Sequence, residues 1–331
     1  MHLAALSHFD PRSTPRIEFS SFEHLARTAE RGLFDFLLLA DGPRPREHKG
    51  RSHAADAVER PESLTVLNAL AAVTERLGLA ATVDATRDHP YELARRLTTL
   101  DHLSAGRAAW NPVTSSDAFT GENGVAELVA VARQLWGSWT PDALSRPFAH
   151  RGRRFDIAGG CTVPRSPQGH PVVIQAGDSD ECREFAASTA DVIFTGHGTP
   201  EAGRSFYADV KRRLEKYGRA PDDLKIMPGV AVVLGDTDAE AQERAAGSRA
   251  QQAGRQFFVG TPETVATELE EFVRRGSADG FVLVPHDTSG ALDDFVDRVV
   301  PLLQKRGAFR RRYEGPTLRS HLGLPDPVSN G

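Results

Sequence analysis

Near the middle of the chain, Gln175-Ala176-Gly177-Asp178-Ser179-Asp180 follows an apolar run and precedes a helical pattern. A strand that enters a glycine turn and then a helix leaves the first helical amides without intrahelical partners. Those amides, the positive end of the helix dipole and the Ser179 hydroxyl together suit a phosphate. Ser179 or Asp178 would cap the helix, and an ordinary capped connection is the plainer explanation of the same residues. Asp178 and Asp180 oppose an anion unless their carboxylates point away. Asn111, within Arg107-Ala108-Ala109-Trp110-Asn111-Pro112-Val113-Thr114-Ser115, is a second candidate. Its amide offers a donor and an acceptor side by side, which matches an imide edge on a planar ring. The alternative is that Trp110 and Val113 are core and Asn111 caps a loop. Asp41 ends an apolar run at Asp41-Gly42, where an acid could tune a bound ring or simply make a turn. His8, His197 and His286 fall where a general acid or an anion ligand would be useful. With 12 histidines in the chain, each is more simply a polar loop residue. Arg46 and Arg87 could hold a carboxylate or a sulfonate.

Other chemistries lack their marks. No HExxH, Gly-rich Walker loop or GxSxG elbow occurs. The two cysteines, Cys161 and Cys182, form neither a CxxC pair nor a metal-ligand set, so no metal is expected and a reducing, cytoplasmic setting fits. A net charge of −5 argues against nucleic acid as a partner. The first residues lack the pattern of a secretory signal, and no apolar run is long enough to span a bilayer.

These residues need elements to place them. Apolar runs over 2–9, 34–40, 78–83, 107–114, 171–176, 191–195, 224–234 and 281–285 read as strands. Helical patterns over 22–31, 62–77, 90–103, 125–136, 180–189, 200–216, 238–249, 262–275 and 293–305 separate them, with Pro301 a kink in the last. A small hairpin is expected across 155–163, within a Pro/Gly-rich stretch. Strand–helix alternation implies parallel strands with crossover helices. Eight such units favour a closed (β/α)8 barrel, a TIM barrel, over residues 1–309, followed by a charged tail over 310–331. Chemistry in this fold gathers where the strands end, which is where Asp41, Asn111, Gly177 and the three histidines fall.

In combination the motifs carry a family. His89-Pro90-Tyr91-Glu92-Leu93-Ala94-Arg95-Arg96, then Leu100-Asp101-His102-Leu103-Ser104-Ala105-Gly106-Arg107 through Ser115, closely resembles the central block of the nitrilotriacetate monooxygenase family. That group, within the luciferase-like flavin monooxygenases, includes long-chain alkane and dibenzothiophene-sulfone monooxygenases. Val163-Pro164-Arg165-Ser166-Pro167-Gln168-Gly169, Phe258-Val259-Gly260-Thr261-Pro262-Glu263 and Tyr313-Glu314-Gly315 match further blocks, so the resemblance spans essentially the whole chain.

The resemblance implies non-covalent FMN at the barrel mouth, reduced by a separate NAD(P)H:flavin reductase. FMNH2 would react with O2 through a peroxyflavin and oxygenate a small organic substrate. It implies that Asp41 lies near the ring and Thr86 beside it. Asn111 would contact the ring, with Ser115 in the same loop, and Gly177, Asp178 and Ser179 would form the phosphate turn. His8 and His197 are candidates for proton management, and a homodimer or homotetramer is expected. An F420-dependent hydride-transfer enzyme or a non-catalytic flavin carrier are the competing expectations. Three segments are shorter than the family pattern: after the first strand, before Val125, and before Phe258.

Overall fold

The computed structural model describes residues 1–7, 18–40, 61–85, 88–113, 124–139, 147–197, 199–246, 256–284 and 290–327. Within them, eleven strands form, beginning with β1 (His2–Ser7), β2 (Phe36–Leu39), β3 (Gly78–Asp84) and β4 (Ala108–Val113). β5 (Phe148–Arg151) and β6 (Asp156–Gly159) make a separate antiparallel hairpin. β7 (Val172–Ala176), β8 (Val192–Thr195), β9 (Lys225–Leu234), β10 (Gln256–Gly260) and β11 (Gly280–Leu283) complete the set. β1, β2, β3, β4, β7, β8, β9 and β11 pair in parallel around a ring, which the β8–β9 ladder closes. Parallel neighbours need long crossovers. These are supplied by α1 (Phe19–Arg31), α2 (Ser63–Ala71), α3 (Pro90–Leu103), α4 (Val125–Trp136), α5 (Asp180–Thr189), α6 (Pro200–Glu215), α7 (Asp238–Ala246) and α8 (Pro262–Arg274). The expected eight-stranded α/β barrel is therefore the fold.

Side chains alternate across each strand. Ala4, Leu38, Ala80, Ala109, Ile174 and Met227 fill the barrel interior. Their strand neighbours Ala5, Leu37, Leu79, Trp110, Val173 and Ile226 pack outward with the helices.

Several elements differ from the sequence reading, each for a physical reason. The helix expected over 62–77 stops at Ala71. Buried Arg107 donates to the carbonyls of Ala71, Thr74 and Leu77 at 3.2, 2.9 and 2.7 Å. One guanidinium thus satisfies groups that further helix would have paired, which is helix capping at a distance. The hairpin starts earlier than expected, because Glu127 on α4 accepts from His150 and from the amides of Arg154 and Phe155, docking the first strand and the turn that follows it. β10 was not expected as a strand. It lies outside the ring, pairing with 230–234 of β9 beyond the residues that β9 gives to β8. The last crossover helix runs as α9 (Ala291–Asp294), a π-helical turn over Phe295–Val299, and α10 (Val300–Lys305). Pro301 lacks an amide donor, so the i→i−4 ladder cannot run through it, and the wider turn sits just ahead.

The segment after Phe309 returns to the barrel. It carries α11 (Leu318–His321), and Leu318, Leu322 and Leu324 join the interior cluster. The Leu318 amide donates to Gly106 O at 3.0 Å, just before β4. Arg319 holds Asp191, just before β8, through both nitrogens at 3.1 and 3.2 Å. These contacts place the segment across the N-terminal ends of the strands, opposite the catalytic face of this fold. Burial alone would raise the Asp191 carboxyl, but Arg319 and Arg133 outweigh it and hold the group far below the usual range. Asp35, before β2, is treated alike. It accepts from the Leu3 amide at 2.9 Å, from His2 and from Arg310. Burial pushes its carboxyl up, while Arg310 and His2 bring it down to about 2.

Two outcomes follow. Arg319→Ala strands a buried carboxylate and is expected to lower stability by about 3–5 kcal/mol in urea unfolding at neutral pH. Asp35 has a depressed folded value, so its contribution is complete above its unfolded value near 4 and is lost as pH falls toward 2. That contribution is about 2 kcal/mol, and Asp35→Asn should flatten this acid limb. An unchanged limb in the variant would refute the assignment.

Candidate functional site

The C-terminal ends of the barrel strands carry the groups that could bind a ligand. β7 runs into Gly177, whose φ of +128° lies in territory that L side chains rarely adopt. A Cβ there would also stand 2.7 Å from Cys182 Sγ. The chain can therefore double back closely enough for Ser179 to become the N-cap of α5. The Ser179 hydroxyl accepts from the Cys182 amide at 3.2 Å, and Ser179 O accepts from the Arg183 amide at 3.0 Å. Among the described residues, no acceptor takes the amides of Asp180 and Glu181. These donors, at the positive end of α5, have the geometry that suits an anion.

Neighbouring charges shape that site. The Asp180 carboxylate, which would have opposed an anion, is paired with Arg213 of α6. Arg183 donates to Asp178 O at 3.0 Å. Under the turn, Gln175 is 1% exposed and donates to Ala176 O at 2.7 Å, while its Oε1 has no partner among the described residues.

The second polar feature lies inside the barrel. Asn111 on β4 stands opposite Thr82 on β3. Each is two residues beyond an interior alanine, Ala109 and Ala80, so both face inward. Asn111 is 4% exposed. Its Nδ2 reaches Thr82 Oγ1 only at 3.4 Å, and its Oδ1 has no partner among the described residues. An unmet buried acceptor costs about 1–3 kcal/mol, which a ligand N–H would recover. Trp110 is wholly buried and Val113 half-buried, so core packing and an available Asn111 coexist on one strand.

His197 follows β8 and is 6% exposed. It shares a hydrogen bond of 3.2 Å with Thr195 Oγ1 and packs against the Phe206 ring at 4.5 Å, with Arg183 on Phe206 as well. Burial, opposed by Asp178 and aided by Arg183, holds the imidazole below its ordinary range, so the ring is neutral at neutral pH. His197 thus lies beside α5 and α6, near the turn. His8, Asp41, Thr86, Ser115, Arg46, Arg87 and His286 lie outside the described residues. Thr82, Arg183 and Arg213 were not singled out from sequence. Thr82 was findable, because it alternates with Ala80 on a strand already recognised. The arginines come from helix surfaces, where sequence gives no sign of what they face.

The fold is thus a parallel barrel with a glycine turn into a helix N-terminus at the end of one strand and, on a neighbouring strand, a buried amide whose oxygen has no partner among the described residues. Comparison with known proteins places this fold in a family. The luciferase-like monooxygenase family model matches residues 1–258, and the chain belongs to that family. It is 35% identical to N-acetyl-S-(2-succino)cysteine monooxygenase of Bacillus subtilis, across 99% of this chain and 95% of the relative. It is 33% identical to nitrilotriacetate monooxygenase component A of Aminobacter aminovorans, across 93% and 90%. EDTA monooxygenase from Chelativorans sp. BNC1 superposes with a TM-score of 0.86 at 26% identity, covering 98% of each chain. The Bacillus alignment has 426 positions against 331 residues here, so at least 95 positions (426 less 331) are gaps in this chain. The shortened segments noted in the sequence fit such gaps.

Gly177→Ala should cost about 2 kcal/mol, from positive φ and from contact with Cys182. Adding Cys182→Ala should recover only the contact part. Full recovery in chemical unfolding would show that backbone conformation contributes nothing.

Proposed function

We propose that the chain is the oxygenase component of a two-component system. It would bind reduced FMN at the barrel mouth and use O2 to place one oxygen atom in a small organic substrate. The observation that carries this reading is the pairing of an unfilled interior amide with an anion turn on adjacent strands. β4 and β7 are neighbours, with Ala109 opposite Val172. Extending that register sets Asn111 level with Ile174, and Gly177 three residues further, about 10 Å along the strand. A ribityl arm and its phosphate can bridge such a separation.

The residues present fit the cofactor. The amides at Asp180 and Glu181, with Gly177, Asp178 and Ser179 shaping the turn, would hold the phosphate. Asn111 would offer Oδ1 to the imide N–H of the ring and Nδ2 to a ring carbonyl. Family resemblance adds Asp41, Thr86 and Ser115 around the ring. Bound reduced flavin supplies the oxygen-activating chemistry. The protein's part is to orient the ring, keep water from it and manage protons. We assign proton management to His8 and His197. His197, held neutral, could accept a proton beside the phosphate turn rather than carry a fixed charge.

A relative named as component A supports a separate reductase as partner, and a homodimer or homotetramer is proposed as the assembly. Some similar proteins are named for carboxylates (nitrilotriacetate, EDTA and a succinylated cysteine) and others for dibenzothiophene sulfone and long-chain alkanes. Arg46 and Arg87 are candidate partners for a carboxylate or a sulfonate, and an apolar substrate is the alternative. No described helix is long and apolar enough to cross a membrane.

The test is an anaerobic titration of the full chain with FMNH2, then mixing with O2 while measuring peroxide released per flavin. Saturable binding, with Asn111→Ala about tenfold weaker, is the expected result. No binding of FMNH2 would overturn the reading in favour of F420. Binding with stoichiometric peroxide, whatever carboxylate, sulfonate or apolar substrate is supplied, would favour a carrier.

A further inference from the structure

The phosphate turn holds an electrostatic contradiction. Asp180 is the first residue of α5, where a carboxylate competes with any anion for the positive helix end. The structure resolves it with an arginine from the next crossover. Arg213, near the end of α6, binds the Asp180 carboxylate and reaches Asp180 O at 3.4 Å. Arg213 does not depend on Asp180 for its place. Its Nε donates to Asp209 at 3.0 Å and its Nη1 to Glu184 at 3.1 Å, and its side chain is 19% exposed against 76% for Asp180. The fixed partner is the arginine, and the carboxylate is drawn to it. Asp209 also receives Arg183 at 3.3 Å, and Arg183 donates to Asp178 O. In a trans peptide the C=O and N–H point oppositely. Arg183 therefore turns the Ser179 amide away from itself.

We propose that Arg213 is a positioning residue for the phosphate turn, with Arg183 its companion. Arg213 withdraws the Asp180 carboxylate from the helix end, which makes an acidic turn competent for a phosphate dianion. This rests on the reading of the turn as the FMN phosphate site. Arg213 itself need not touch the cofactor. Without Arg213, the Asp180 side chain is free to cap its own helix, where it repels the phosphate. Because Asp180 is well exposed, water and salt screen the effect, and a loss of about 3- to 10-fold is expected at low salt.

The test compares reduced FMN with reduced riboflavin, which lacks the phosphate, by anaerobic ultrafiltration with the full chain. Arg213→Gln should weaken FMN about 3- to 10-fold and leave riboflavin unchanged. Adding Asp180→Asn should restore FMN affinity, since the harm comes through that carboxylate. Asp180→Asn alone, which keeps Arg213 and its other pairs, should bind FMN at least as tightly as the parent. Equal loss of both flavins in Arg213→Gln, no recovery in the double variant, or weaker FMN binding in Asp180→Asn would each overturn the proposal. The underlying reading fails separately: a parent chain that binds riboflavin as tightly as FMN has no phosphate site at this turn, and the proposal falls with it.

Discussion

Everything in this molecule depends on β9 meeting β8. A parallel ring has no stable open form of the same geometry, because an unclosed edge would leave a row of backbone donors and acceptors unpaired. β9 makes closure possible by being long. Its first residues join β8, its middle meets β11, and its end carries β10. Once the ring is closed, β7 is fixed between β4 and β8. That fixes the place of the Gly177 turn relative to Asn111.

The two ends of the ring handle polar groups differently. At the N-terminal end, Asp35, Asp101 and Asp191 are buried and fully engaged, each by several donors from distant parts of the chain. Such groups contribute little as isolated pairs, but losing one partner leaves a charge with no water to replace it. At the other end, the Asn111 acceptor and the first amides of α5 find no partner among the described residues. Unmet groups lower stability in the free protein and are what a ligand can use. The barrel thus keeps its tightest polar packing away from the face where binding requires slack.

Sequence was most informative where a local rule sufficed. Strand alternation, the glycine turn and a cap at Ser179 or Asp178 are legible because backbone period, positive φ and capping chemistry act within a few residues, and the structure chooses Ser179. The family motifs added the likeness, which the comparisons bear out. What could not be read depended on distant partners. Nothing near residue 72 announces that Arg107 will end α2 from across a strand. Nothing near Asp180 announces Arg213. β10 was missed because its five residues, Gln256–Gly260, form no period that separates them from a loop. The segment around Leu318 looked like a charged tail because its three buried leucines are spread among arginines and glycines.

That segment bears on how the chain is made. The strands of the ring are synthesised first, yet three of the side chains that fill their common interior belong to residues 318–324. A nascent chain can thread its ring together and still have an apolar mouth open at one end. Collapse around the wrong side chains, or association with another chain, is the hazard of that interval. The same ordering makes Arg319 a late contact: Asp191 has no bidentate partner until a residue 128 positions further along the chain has been made.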